Sequence, residues 1–206
     1  DSTVVENRVL TTAEIQNAAA TFEGLDMGVP YIAQIFYNEV LRGTLNTKTS
    51  GSSGSLIFNI NIPGITAEDI STALAGHAAE GTKKVTVNFA SGMEFNMEGT
   101  ITIPTGIQDI SFVGSENANG KLSQLNKVYF AIESEVNDVN FEYLSMNSDG
   151  GFMFQVGAQK FHDITFEGCE VKQVNSAVRL HSGAEGNSVN FNNCWVSNTG
   201  GWSFLN

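Results

Sequence analysis

Basic residues are scarce in this chain. Lysine and arginine together number 10, against 22 aspartates and glutamates, for a formal charge of −12. Phosphate binding needs clustered Lys and Arg, so the balance argues against a nucleic-acid partner. It also weighs against a polyanionic substrate such as polygalacturonate, unless a local basic patch overrides the global charge. Neutral glycans, cations and basic protein partners stay open. No apolar run approaches the ~20 residues of a membrane helix, so no transmembrane segment is expected. No signal peptide is visible, which fits a cytosolic chain or a mature, processed one. Proline occurs three times and cysteine twice.

What is abundant is β-forming and turn-forming. The chain is 41% hydrophobic and 10% aromatic, with 21 glycines and many Asn, Ser and Thr. Its 206 residues suffice for one large or two small domains. This composition favours an all-β protein with many turns.

One triplet is written five times: a β-branched residue, a small polar one, then Phe. The copies are Val87-Asn88-Phe89, Ile110-Ser111-Phe112, Val139-Asn140-Phe141, Ile164-Thr165-Phe166 and Val189-Asn190-Phe191. Their first residues are 23, 29, 25 and 25 positions apart. A fixed period in the twenties marks units that stack because none can bury its own apolar face. Residues one and three share a strand face, and the middle residue takes the other. The expected fold is a right-handed parallel β-helix. Five Phe rings would stack inside, with Asn88, Ser111, Asn140, Thr165 and Asn190 as a polar ladder outside.

Cys169 and Cys194 are again 25 apart, each three residues beyond the Phe of its repeat. The repeat places them on adjacent coils with their Cβ atoms aimed the same way. That geometry suits a disulfide poorly, and two reduced thiols are expected.

Residues 1–50 lack the period. Strands are expected over Val4–Leu10, Ala19–Phe22, Tyr31–Tyr37 and Leu41–Thr47, the last two joined by a turn at Asn38-Glu39. A short helix is expected over Thr12–Asn17. Residues 51–55 lie in a Ser/Gly-rich linker. The β-helix then spans 56–206, with a cap helix at about 66–80 that Thr66 starts and Gly81 stops. Ile70, Leu74, Ala78 and His77 mark its apolar side, His77 as a packing residue. The interval of 29 holds a loop, Gly114–Gly120, which reads as a functional excursion. No capping element follows Trp202 and Phe204, so the natural chain is expected to be longer or its end covered by a partner.

Leu25-Asp-Met-Gly28-Val-Pro-Tyr31 is similar to the Leu-x-Pro-Gly-Thr-x-Tyr segment of fibronectin type III domains, with Met27 and Val29 departing from it. Arg42-Gly43 looks like the last strand of such a domain. Residues 1–50 thus resemble a partial fibronectin type III-like β-sandwich segment. With the linker, cap helix and Asp-Ile-Thr-Phe-Glu-Gly-Cys rung, residues from about 20 to 206 resemble pectate-lyase-like β-helix surface lipoproteins. Those are encoded with SusC/SusD-type outer-membrane uptake systems of Gram-negative gut bacteria. The resemblance implies a lipid-anchored protein at the cell surface. It also implies glycan or oligosaccharide partners and a SusC/SusD-type complex.

The outward positions carry the candidate chemistry. Asp109, Asp138 and Asp163 precede three triplets, and Glu142 and Glu167 follow two of them. Stacked, they give two acidic columns. These are candidate Ca2+ ligands, or solvated strand-entry residues. Arg179 points outward near His181, with Lys160, His162 and Lys172 on neighbouring stretches. Arg179 is the residue a Ca2+-assisted polysaccharide lyase would use as base. Trp195 should face outward beside Asn192, Asn193 and Asn198. It can stack on a sugar ring or pack on a further segment. The reading is therefore a non-catalytic glycan-binding module using Trp195, Asn193, Arg179 and His181, with no obligate cofactor. The alternatives are the lyase and a structural spacer.

Overall fold

The computed structural model describes residues 4, 6–17, 20, 22, 30–48 and 55–200. It divides the chain into two compact units, Asp1–Ser53 and Gly54–Asn206.

In the first unit, α1 (Thr12–Asn17) forms where expected. Its cap is reciprocal: the Glu14 amide donates to Thr11 Oγ1, and Glu14 Oε2 accepts from the Thr11 amide. Strands β1 (Pro30–Tyr37) and β2 (Val40–Lys48) pair antiparallel. Asn38 and Glu39 both take positive φ, 48° and 64°, as a two-residue turn matched to strand twist requires. The strand expected over Val4–Leu10 is corrected: Val4 and residues 6–10 are irregular. Arg8 there forks onto Glu14 at 2.6 and 2.8 Å, holding the segment against α1 instead of in a ladder. Of Ala19–Phe22, residues 20 and 22 are not strand, and the rest lies outside the described residues. So does the Leu25–Val29 part of the fibronectin-like match.

The second unit is a parallel β-helix of about six turns, consistent with the right-handed sense of parallel crossovers. Its first sheet stacks β3 (Ser55–Ile60), β4 (Lys84–Phe89), β6 (Asp109–Val113), β8 (Val136–Glu142), β11 (Lys160–Glu167) and β14 (Glu185–Asn192), one strand per turn. The second sheet holds β5 (Glu94–Ile103) and β7 (Ser123–Ile132), each bent at a left-handed residue, Glu98 or Lys127. In later turns that bend breaks the strand in two. The first halves become β9 (Leu144–Asn147), β12 (Glu170–Val174) and β15 (Trp195–Thr199). The second halves become β10 (Phe152–Val156) and β13 (Ser176–Leu180). Each later turn thus has three faces. The corner after the first sheet is a column of positive φ: Tyr143, Gly168 and Asn193. At Gly168 a Cβ would lie 2.8 Å from the Tyr143 ring, so the ring's seat on the next corner needs glycine.

In the first turn, α2 (Ala67–Ala79) stands where the later turns have the second and third faces. Thr66 and Asp69 form a capping box, and Ala67, Ile70 and Leu74 are buried. Ser71 Oγ accepts from the Thr102 amide at 2.9 Å, so the helix also satisfies the edge strand β5.

The interior is the expected ring column with one shift. Phe112, Phe141, Phe166 and Phe191 stack at centroid distances of 5.4, 4.7 and 4.6 Å and interplanar angles of 13°, 11° and 4°. The strand spacing of ~4.8 Å sets that repeat. Phe89 is not in the column. In β4, Val87 aligns with Phe112 and Thr86 with Ser111, two residues off the triplet match. The polar ladder is accordingly Thr86, Ser111, Asn140, Thr165 and Asn190. Asn88 bonds to Asn59 instead, at 3.0 Å. Phe89 packs edge-on against Phe95 at 5.4 Å.

Cys169 and Cys194 are both free thiols. Their sulfurs lie 3.3 and 3.4 Å from the backbone oxygens of Phe141 and Phe166, one turn apart. Burial pushes the Cys169 thiol up to about 12 and the Cys194 thiol up as well.

Candidate functional site

Because the sheet is parallel and in register, like residues of successive turns stand beside each other. On the outside of the first sheet one column reads Lys84, Asp109, Asp138, Asp163, Ser188. Four residues on, a second reads Val113, Glu142, Glu167, Asn192. At ~3.3 Å per residue the two are roughly 13 Å apart, too far to share one ion. Asp138 and Asp163 are one pair, Glu142 and Glu167 another.

The Asp column is closed at both ends. Lys84 Nζ pairs with Asp109 Oδ2 at 2.8 Å. At the other end Ser188 Oγ and Asn187 Nδ2 donate to Asp163 Oδ1 at 2.6 and 2.9 Å. The Ser188 hydroxyl first, then the Asn187 amide, hold the Asp163 carboxyl below its usual range. Between these ends His162 leans over the column. Its Nδ1 lies 2.9 Å from Asp163 Oδ2 and 3.6 Å from Asp138 Oδ1. Within β11 the inward–outward alternation breaks at this point: Phe161 is buried, while His162 and Asp163 both lie on the outer side. Phe161 turns inward over Gly186, where a Cβ would sit 2.0 Å from its ring.

Beside this group is an open hollow of about 400 Å3 lined by Glu135, Val136, Asn137, Lys160, Phe161, His162, Glu185, Gly186 and Asn187. Lys160 Nζ and Glu185 Oε2 pair at 2.6 Å, and both side chains are exposed.

The other expected site residues lie elsewhere. Arg179 is on β13, in the second sheet, with its guanidinium 4.3 Å above the Phe152 ring. Phe152 itself points outward, and Met153 takes the interior place. His181 is exposed, with Nε2 3.5 Å from Gln155 Oε1. Neither joins the acidic column. Trp195 is outward on β15 and 62% exposed, one rung above Glu170 and two above Ser145. Lys172 Nζ lies 5.7 Å from its ring centre and also pairs with Glu170. Asn193 donates to Glu167 Oε1 at 2.9 Å. The Gly114–Gly120 loop is closed by its own bonds: Asn117 Oδ1 accepts from the amides of Asn119 and Lys121. His77 on α2 is half-buried, 3.2 Å from Glu80.

Set against family models, curated proteins and solved structures, the chain matches none.

The carboxylate columns were readable because the period fixes register. His162 was not assigned to them, although its place directly before Asp163 put it beside the column.

Proposed function

We propose that this protein is a non-catalytic glycan-binding module of a surface lipoprotein, working as an accessory of an outer-membrane nutrient-uptake complex. The observation that carries the reading is Trp195, a large aromatic face held 62% exposed on a rigid strand. Lys172 steadies its ring, and Asn193 presents an amide at the adjacent corner. Aromatic faces with polar neighbours stack on sugar rings and bond their hydroxyls. The charge pattern supports a neutral glycan. Lys84, Lys121, Lys127, Lys160 and Lys172 each pair with a carboxylate on their own or the adjoining turn, which leaves them poorly placed to hold a polyanion.

The lyase alternative is less well supported. Arg179 is on a different sheet from Asp138 and Asp163 and is stacked on Phe152, so base and acidic group do not face one substrate.

A glycan array followed by calorimetry on the best ligand tests the reading. Binding should be lost in Trp195→Ala and weakened in Asn193→Ala. Formation of an unsaturated product, read by ultraviolet absorbance and abolished by Arg179→Ala, would overturn it in favour of the lyase. Absence of any glycan binding would favour the spacer.

A further inference from the structure

We infer that Asp138, His162 and Asp163 form a site for one divalent transition metal of the zinc class. The three donor atoms lie within 4.8 Å of one another, with His162 Nδ1 2.9 and 3.6 Å from the two carboxylates. Ligands held at ~2.0–2.2 Å from zinc stand roughly 3.4 Å apart in a tetrahedron, close to the two imidazole–carboxylate separations. The donor set is one imidazole nitrogen and two carboxylates on a rigid sheet. Nitrogen with oxygen suits zinc and its first-row neighbours, whereas calcium takes six to eight oxygens.

The surroundings are built as a ligand's support would be. Ser188 and Asn187 occupy Asp163 Oδ1 and leave Oδ2 turned to His162. Such outer hydrogen bonds orient a metal-binding carboxylate. Asp109, the previous rung, pairs directly with Lys84, whereas Asp138 and Asp163 share the imidazole between them. Two in-register carboxylates one strand spacing apart repel, and a divalent ion removes that cost. The hollow beside His162 leaves the remaining coordination positions open to water. The site lies on the first sheet, away from Trp195 on β15, and stands independently of the glycan reading.

Calorimetric titration of the whole 206-residue chain with zinc chloride at neutral pH tests this. One saturable zinc per chain is expected. His162→Ala and Asp138→Asn should each weaken it by roughly tenfold or more, while Glu142→Gln and His181→Ala leave it unchanged. Affinity should fall on acidification, because the imidazole must be neutral to bind. In unmutated protein the His162 ring resonances should shift before those of His77 and His181. No saturable binding, wild-type affinity in His162→Ala, or calcium binding as tight as zinc would each overturn the inference.

Discussion

Phe141 and Phe166 expose none of their surface, whereas Ile35 and Phe36 leave 56% and 57% of theirs exposed. All four sit in strands, with a bulge in β1 between Ile35 and Phe36. The difference lies in what each strand is paired to. In the coils Phe141 and Phe166 each have a Phe on the turn above and on the turn below, and two further faces close the interior. Burial therefore compounds from turn to turn. In the first unit, β1 and β2 form a ribbon of two strands, and Ile32, Val40, Leu41 and Leu45 are exposed along with Ile35 and Phe36. Strand propensity is met in both places; only stacking supplies a core, and a lone hairpin has little stability of its own.

The largest expected effect breaks or upholds that contrast directly. Phe141 touches Phe112, Phe130, Phe154 and Phe166, at centroid distances of 5.4, 4.8, 5.9 and 4.7 Å. Phe141→Ala should cost about 3–5 kcal/mol in urea unfolding. Phe36→Ala should cost less than about 1 kcal/mol in the same measurement. Equal costs would mean that the ribbon is buried as deeply as the coil.

A second effect tests the coil interior through pH. The Cys169 thiol ionises at about 12 in the fold, against an ordinary 9.0, because burial disfavours the thiolate. The folded value is the higher one. The thiol's contribution is therefore complete below pH 9 and is lost as pH rises towards 12. The shift caps the loss at about 4 kcal/mol. Cys169→Ala should flatten the fall of stability between pH 9 and 12, and an unchanged slope would assign alkaline unfolding to other groups. No such step is expected from the first unit, which has no cysteine.

The same contrast explains what the sequence disclosed. Where the period is regular, at 25 residues, the chain could be read rung by rung: the Phe141–Phe166–Phe191 stack, the paired cysteines, and the Asp138/Asp163 and Glu142/Glu167 neighbours. At the interval of 29 the register also held, but at the interval of 23 likeness of residues misled. Val87-Asn88-Phe89 copies the triplet, yet its strand is set two residues away, because register follows the neighbour's hydrogen bonds and not the motif. The interval of 23 carried that information. Met153 is buried and Phe152 lies outward because alternation breaks at the start of β10, just past the corner. His162 fell out of the reading for a similar reason. Inside β11 the alternation breaks at His162, so its side of the sheet could not be predicted, and its lean over the Asp column came only with the backbone. In residues 1–50 there was no period at all. There the local signals, a two-residue turn and a capped helix, were legible, and the Val4–Leu10 strand, which needed a partner, was not.

The smallest effect compares one local device in both settings. Thr11 with Glu14 and Thr66 with Asp69 are the same reciprocal cap. Hydrogen bonds from Thr66 hold the Asp69 carboxyl below its usual range. Glu14 is lowered further, to about 2, first by the Arg8 guanidinium and then by the Thr11 amide. By itself that would suggest the stronger cap is Thr11's. Helix α2, however, buries Ala67, Ile70 and Leu74 and closes the edge of β5. Losing its cap is therefore felt by the whole coil. Thr66→Ala should cost about 1 kcal/mol in the main unfolding transition. Thr11→Ala should leave that transition where it is. Both depressed carboxyls act in the same direction: their contribution is present above the unfolded value and is lost as pH falls through the folded one. Acidification should therefore loosen α2 before α1, which Glu14 holds down to pH 2. Amide exchange of the two helices between pH 5 and 2 would show the reverse order if packing, and not the cap, governs α2.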